Sequence, residues 1–287
     1  MQINNTICLW TILIPVTRLH QWSYPQAVQS TIPEGQNNMS SVATPVRFDS
    51  PSSAQMVANL AANNPASIPG YLQSVYWWAY VHPNAVRLFE RQWLVNAILW
   101  GNFARLRNAA LDALGSVITG RTLQVACVYG DFSPKLVARL APGGTLDIVD
   151  VLPIQLANLR QKIPPGAAVT PLLRDSSALG FADASYDNTV LFFLLHEQPD
   201  AVRIRTLSEA VRVTRPGGKI VIVDYHLPNR FHPLRYLFRP VLRWLEPFAL
   251  DLWNHDLETW LPNSVRAEQI QKETLFGGLY QKLVIAI

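Results

Sequence analysis

The sequence predicts an α/β fold in which a mostly parallel sheet is flanked by helices. Three observations predict it: β-rich apolar segments alternate with helical segments from residue 121 to residue 226, a glycine turn follows the first strand, and an acid ends the second. Hydrophobic residues make up 49% of the 287 residues and charged residues only 15%, so the chain can bury a large core.

The first predicted unit is a strand, a turn, a helix and a second strand. Residues 122–129 (TLQVACVY) are the first strand, Gly130 makes the turn, and Pro134 suits the first turn of the helix. The second strand, 145–149, ends on Asp150, 20 residues after Gly130. In dinucleotide-type βαβ units the glycine lets the backbone approach a ligand, and the acid accepts hydrogen bonds from ribose hydroxyls. An ordinary βαβ unit with a solvated Asp150 is the alternative that this spacing leaves open.

The same alternation continues to residue 226. Three further strands are predicted at residues 168–173, 188–194 and 220–223. A helix is predicted over residues 201–214, and Asp175 follows the third strand, where an acid can accept a hydrogen bond from an adenine amino group. Strands that alternate with helices in this way imply a parallel sheet. Residues 265–287 contain two short stretches, of which residues 279–287 resemble a closing antiparallel pair of strands.

The N-terminal quarter of the chain has a different composition. Residues 1–69 are rich in Ser, Asn, Gln, Pro and Ala and are predicted to form a disordered arm. Met39 and Met56 are alternative starts of translation, so part of this arm need not be translated. A mitochondrial transit peptide is the competing interpretation, which the scarcity of acids favours and the low arginine content does not.

A helical layer is predicted between the arm and the sheet. Apolar residues three and four apart over residues 85–114 indicate helix, with Gly101 as a candidate break. Four aromatic residues precede this layer: Tyr76, Trp77, Trp78 and Tyr80. They are interpreted as packing between the layer and the sheet, with an aromatic lid over a flat ligand as the alternative.

Two strings of the sequence resemble a known superfamily. RVTRPGGKIVIVDYH, around the fifth strand, and FADASYDNTVLFFLLHEQPD, around the fourth, are similar to the class I S-adenosylmethionine-dependent methyltransferases related to quinone-pathway enzymes. The resemblance implies a Rossmann-like sheet in which Gly130 contacts the methionine moiety of the cofactor, Asp150 the ribose and Asp175 the adenine. The full set of implied cofactor-binding residues is Tyr129, Gly130, Asp131, Asp150, Val151, Asp175 and Ser176.

The first motif departs from the pattern of that superfamily. Two or three glycines are usual there, whereas VYGDFS contains only Gly130, followed by Asp131 and Phe132. These larger side chains stand where small residues normally let the cofactor lie close. The departure predicts altered cofactor placement and argues against plain methyl transfer.

A narrower resemblance covers residues 71–287. The strings YWWAYVHP, FERQWLVNAILWGNFARLR, VYGDFS, VDVLPIQLANL, LLHEQP and HPLRYLFRPVLRWLEPFALDLWNHDLETWLP are similar to the RquA family of rhodoquinone-biosynthesis proteins. This resemblance implies conversion of ubiquinone to rhodoquinone, in which an amino group from S-adenosylmethionine replaces a ring methoxy group and Mn²⁺ is required. A conventional methyltransferase acting on a quinone or another small apolar substrate stays open, as does a non-catalytic binding protein of the same fold.

The implied reaction assigns chemistry to three residues. An amine attacks a quinone carbon only when it is unprotonated, and Asp131 is the nearest candidate base. Mn²⁺ prefers oxygen ligands with some imidazole, which makes Asp131, His196 and Glu197 its candidate ligands. They follow the first and fourth strands, whose carboxyl ends bind ligands in open α/β sheets. Asp131 and His196 are therefore the predicted catalytic residues.

The implied substrate predicts a membrane partner. Residues 226–245, within a hydrophobic and basic insertion at 226–262, hold four arginines and no acid, and suit an anionic bilayer interface. An ordinary amphipathic helix packed on the sheet is the alternative, and Pro240 argues against one uninterrupted helix. A net charge of +4 does not indicate nucleic acid. The expected location is cytoplasmic and peripheral to the inner membrane, or the matrix side of a mitochondrion; no oligomeric state is predicted.

Overall fold

The computed structural model describes residues 68–76 and 83–287. The predicted disordered arm, up to residue 67, lies outside these residues, as do Trp77, Trp78 and Tyr80. Within the described part of the chain, no helix has the length and apolar character to cross a membrane.

One seven-stranded sheet organises the described residues, in the order β3-β2-β1-β4-β5-β7-β6. The strands are β1 (Arg121–Val125), β2 (Thr145–Asp150), β3 (Val169–Leu173), β4 (Tyr186–Phe192), β5 (Thr214–Tyr225), β6 (Ile270–Leu275) and β7 (Tyr280–Ala286). β1 to β5 pair in parallel, and β7 pairs antiparallel with both β5 and β6. The predicted parallel sheet with an antiparallel closing pair is confirmed.

Helices cover the sheet and bury its central strands. They are α1 (Gly70–Ser74), α2 (Pro83–Phe89), α3 (Gln92–Ile98), α4 (Phe103–Leu114), α5 (Phe132–Val137), α6 (Pro153–Lys162), α7 (Asp200–Val213), α8 (Leu234–Leu245) and α9 (Asp251–Asn254). Consecutive residues are buried through most of β1 and β4, because central parallel strands are covered on both faces.

Several predicted boundaries differ from the structure. The first strand ends at Val125 rather than residue 129, because Ala126 adopts φ 71° and turns the chain into a loop. The predicted helical run over residues 85–114 breaks at Gly101 (φ 78°) and also between α2 and α3. α8 continues through Pro240. Pro240 and Tyr236 both stand on the exposed side, where water can satisfy the carbonyl that proline leaves without a donor.

Candidate active site

A pocket opens at the carboxyl ends of β1, β2 and β3, beside the point where the strand order reverses between β1 and β4. Open parallel sheets bind ligands at this position, because the loops leaving neighbouring strands diverge there. The pocket has a volume of about 600 Å³, including the space at its mouth. Tyr71 of α1 also lines it. We call it the cofactor pocket.

Asp150 lines the cofactor pocket. Its Oδ2 accepts the N–H of Cys127 at 2.8 Å, and its Oδ1 accepts the N–H of Leu152 at 2.8 Å. Burial raises the pKa of Asp150 to about 6, although these backbone donors act in the opposite direction. Each carboxylate oxygen has lone pairs beyond the one already used, so both can also accept bonds from a pair of ribose hydroxyls.

Val151, Asp175 and Ser176 also line the cofactor pocket. Asp175 Oδ1 accepts the N–H of Ser177 at 2.7 Å. Gln198 Nε2 donates to Ser176 Oγ at 3.0 Å, whereas the buried Oε1 of Gln198 has no hydrogen-bond partner in the described part of the chain. A polar ligand with donor groups would satisfy this oxygen, so these acceptors fit the hydroxyl and amino groups of a nucleoside-containing cofactor.

Gly130 and Asp131 line neither this pocket nor the second one described below. The N–H of Gly130 donates to Glu90 Oε1 at 3.2 Å, and a side chain at this glycine would meet Phe103 at 2.9 Å. Asp131 accepts two hydrogen bonds from Arg107 Nη1, at 2.6 and 2.7 Å. The roles assigned to these two residues from the sequence stay predictions.

A second pocket, of about 780 Å³, adjoins the first and shares Cys127, Phe193 and Glu197 with it. Its walls are mostly apolar and aromatic, with Phe103 and Tyr129 among them. Phe193 adopts φ 54° between the two pockets, a strained conformation for a bulky side chain. An apolar pocket with a few polar groups, next to a cofactor pocket, is suited to a flat apolar substrate. We call it the apolar pocket.

His196 is the main polar feature of the apolar pocket. It follows β4 in a 3₁₀ turn (Leu195–Glu197), and its Nδ1 lies 2.9 Å from Oδ1 of Asp224 at the end of β5. Burial alone would lower its pKa, but Asp224, Glu246 and Glu197 together outweigh that effect and raise the pKa of His196 to about 9. The imidazole is therefore protonated at neutral pH.

Asp224 and Glu246 were not assigned a role from the sequence. Oε2 of Glu246 is buried 3.7 Å from Nε2 of His196, and burial raises the pKa of Glu246. The only sequence signal for Asp224 is its place at the carboxyl end of the fifth strand. Glu246 has no such signal, because it reaches the pocket from the end of α8, far along the chain.

Arg203 of α7 fixes the turn that carries His196. Its side chain is fully buried, its Nε donates to the carbonyl of Leu195 at 3.0 Å, and its Nη2 donates to the carbonyl of Gln198 at 2.8 Å. A buried guanidinium needs these acceptors, so the turn and the arginine hold each other in place.

The predicted manganese ligands are only partly brought together. His196 Nε2 lies 3.7 Å from Glu197 Oε1, whereas Asp131 is held by Arg107 on another loop. Across the described residues, no group of three or more His, Cys, Asp or Glu side chains is arranged to hold a metal ion. The side chains as placed do not fit a Mn²⁺ site, so no step is assigned to a metal.

The strand order, the reversed β7 and the acid after β2 define a class I S-adenosylmethionine-dependent methyltransferase fold. Residues 122–218 match the methyltransferase-domain family. Among solved structures, a phosphoethanolamine N-methyltransferase of Haemonchus contortus superposes with a TM-score of 0.53 at 18% identity, over 74% of this chain and 47% of that one. At this identity the likeness concerns the fold alone.

Curated relatives identify the family. The demethylmenaquinone methyltransferase of Thermus thermophilus is 30% identical over 61% of this chain and 79% of its own. The ubiquinone/menaquinone biosynthesis C-methyltransferase UbiE of Paracoccus denitrificans is 29% identical over 58% of this chain and 63% of its own. The chain therefore belongs to the demethylmenaquinone methyltransferase family. It spans about half the length of other curated relatives, 56% and 53% in two of them.

Proposed function

We propose that the protein is an S-adenosylmethionine-dependent transferase that modifies a quinone ring, converting ubiquinone to rhodoquinone by exchange of a methoxy for an amino group. The observation that carries this proposal is a buried, protonated His196 in an apolar pocket that shares three lining residues with the cofactor pocket. The family relationship supports a quinone as substrate, because the curated relatives are named for their action on quinone precursors.

The cofactor pocket supports S-adenosylmethionine as the group donor. Asp150 would hold the ribose hydroxyls, and Asp175 would lie at the adenine. Bound there, S-adenosylmethionine would supply the transferred group, its α-amino group in the favoured reaction or its methyl group in the alternative one. In the favoured reaction the methoxy group would leave the ring as methanol. The bond between the amino nitrogen and the α-carbon would break by elimination with loss of a proton from the neighbouring β-carbon, so that the remainder of the cofactor leaves as an alkene. Cys127, Phe193 and Glu197 form the boundary between the two pockets, across which the group would pass.

His196 would act on a ring carbonyl oxygen. Addition of an amine to a quinone carbon places negative charge on a carbonyl oxygen, and a protonated imidazole in a dry pocket stabilises that charge by hydrogen bonding from Nε2. Asp224 would keep Nδ1 protonated and the ring oriented. The aromatic walls would exclude water and hold the ring flat.

Glu197 replaces Asp131 as the proposed proton acceptor for the attacking ammonium group. It lines both pockets, whereas Asp131 lines neither. A general base has to lie within hydrogen-bonding reach of the proton that it takes, and Glu197, as a lining residue of both pockets, would be placed for that.

Methyl transfer to a quinone precursor is the second candidate, since the relatives carry that activity in their names. Transfer of a methyl group to a ring carbon needs removal of a proton from a ring hydroxyl. A histidine with a pKa of about 9 is already protonated at neutral pH and performs that task poorly. The state of His196 is thus the observation that favours amino transfer.

The test is a product analysis. The full chain is incubated with S-adenosylmethionine and ubiquinone, with and without Mn²⁺, and the lipids are examined by mass spectrometry. Loss of a methoxy group with gain of one nitrogen supports amino transfer, whereas a methylated product with S-adenosylhomocysteine establishes the second candidate. Cofactor binding without turnover would leave a non-catalytic binding protein.

A matched pair of variants links the reaction to the site. His196→Gln removes the protonated imidazole and should lower turnover about 100-fold or more, the cost of deleting one donor to a developing negative charge. His255→Gln changes an exposed histidine outside both pockets and should leave turnover unchanged. Equal activity in the two variants would remove His196 from the mechanism.

A further inference from the structure

α8 presents large apolar side chains on two sides. Leu234, Phe238 and Leu242 are buried against the domain. On the outward side Tyr236 is 68% exposed and Trp244 is 66% exposed. Phe231, in the loop before the helix, is 82% exposed, and Leu237 is also exposed. Aromatic side chains concentrated on the outer face of one short helix mark an interaction surface.

Basic side chains border these aromatic groups. Arg230, Arg239 and Arg243 are exposed, and none of them forms an ion pair with an acid in the described part of the chain. Residues 226–245 contain no Asp or Glu. We call this set the α8 surface. It comprises Arg230, Phe231, Tyr236, Leu237, Arg239, Arg243 and Trp244.

The helix that carries the α8 surface also contacts the apolar pocket. On the buried side of the helix, the ring of Phe238 lies 6.0 Å from that of Tyr225, which lines the pocket. Glu246, the residue after α8, lines the same pocket. A partner bound to the outer face of α8 would therefore lie beside the pocket and separated from it by one helix.

We propose that the α8 surface docks on an anionic lipid bilayer. Tyr236, Leu237 and Trp244 would enter the boundary between headgroups and acyl chains, and the arginines would meet lipid phosphates. An exposed aromatic stripe in a segment that contains arginines and no acid is complementary to an anionic bilayer, because such a bilayer is apolar within and negative at its surface. This inference rests on the proposed function for its purpose, since docking would bring the apolar pocket to a lipid-soluble quinone.

The test is flotation of the full chain with vesicles of phosphatidylcholine, with or without phosphatidylglycerol, in the absence of quinone and cofactor. Binding should require the anionic lipid and weaken with salt. Arg239→Gln and Arg243→Gln should each lower the affinity about fivefold, the loss expected for one arginine at such a surface. Trp244→Asp should abolish flotation. Arg266→Gln, at an exposed arginine outside this surface, is the matched control and should bind normally.

Two results would overturn the docking. One is equal flotation of wild type, Arg239→Gln and Trp244→Asp. The other is absence of flotation by a full chain that is dimeric, with Trp244→Asp making it monomeric, because a second copy would then cover the surface.

Turnover on a quinone without an isoprenoid tail separates this inference from the proposed function. Trp244→Asp should keep that turnover and lose turnover on vesicle-bound ubiquinone. Tail-less turnover without vesicle binding would refute the docking alone, and vesicle binding without any amino transfer would refute the proposed function alone.

Discussion

The pairing of His196 with Asp224 gives the sharpest test of the proposed site. Asp224→Asn removes the carboxylate that lies 2.9 Å from Nδ1 and leaves the shape of the side chain nearly unchanged. The pKa of His196 stands at about 9 in the folded protein, against 6.5 ordinarily. That difference corresponds to a preference of about 3 kcal/mol for the protonated imidazole. Without Asp224, burial opposes the two remaining carboxylates, and we expect the pKa to return to its ordinary value of 6.5.

The expected consequence is a loss of activity that depends on pH. At pH 8 the protonated fraction of His196 falls from about nine-tenths to about 3%, so turnover should drop roughly 30-fold. At pH 6 the imidazole is largely protonated in both proteins, and the loss should be small. The assay is kcat for rhodoquinone formation between pH 5.5 and 9.5.

Asp224 also accepts the N–H groups of Leu195 and Tyr225, so the variant needs a control for folding. Thermal unfolding at both pH values shows whether the variant is folded. A structural defect would lower activity at pH 6 as much as at pH 8. A uniform loss with the alkaline limb unmoved near pH 9 would refute the assignment of His196 as a protonated group.

Three further outcomes are expected. Because the pKa of His196 is raised, its contribution to stability is complete below about pH 6.5 and is lost as pH rises through 9. The free energy of unfolding should therefore fall over that range. A free energy of unfolding that stays constant would contradict the burial of His196 beside Asp224. Asp150→Asn should weaken S-adenosylmethionine binding about 10- to 100-fold in calorimetry. The affinity of the wild-type protein should fall as the pH drops through about 6, where the Asp150 carboxylate takes up a proton. An affinity that does not depend on pH would argue against a contact between Asp150 and the ribose. Asp131→Asn should cost roughly 1–2 kcal/mol of stability through the lost Arg107 contact and keep most turnover, whereas abolished turnover in a folded variant would restore Asp131 as the base.

The positions of Asp150 and Asp175 follow from local sequence. Asp150 and Asp175 each follow a strand that apolar patterning predicts, and the carboxyl ends of parallel strands meet at one edge of the sheet. Their place in the cofactor pocket therefore follows from the order of elements alone. The contact of Asp131 with Arg107 does not follow from the order of elements, because it joins residues 24 positions apart that no local pattern relates.

The sequence alone predicts the order of strands and helices, and therefore the fold class, because the periodicity of apolar residues indicates which faces are buried. Tertiary structure alone decided the chemistry of the apolar pocket. Asp224 and Glu246 reach His196 from the end of β5 and the end of α8. The charge on His196 depends on how burial and three carboxylates balance within a few ångströms, and side-chain packing sets those distances.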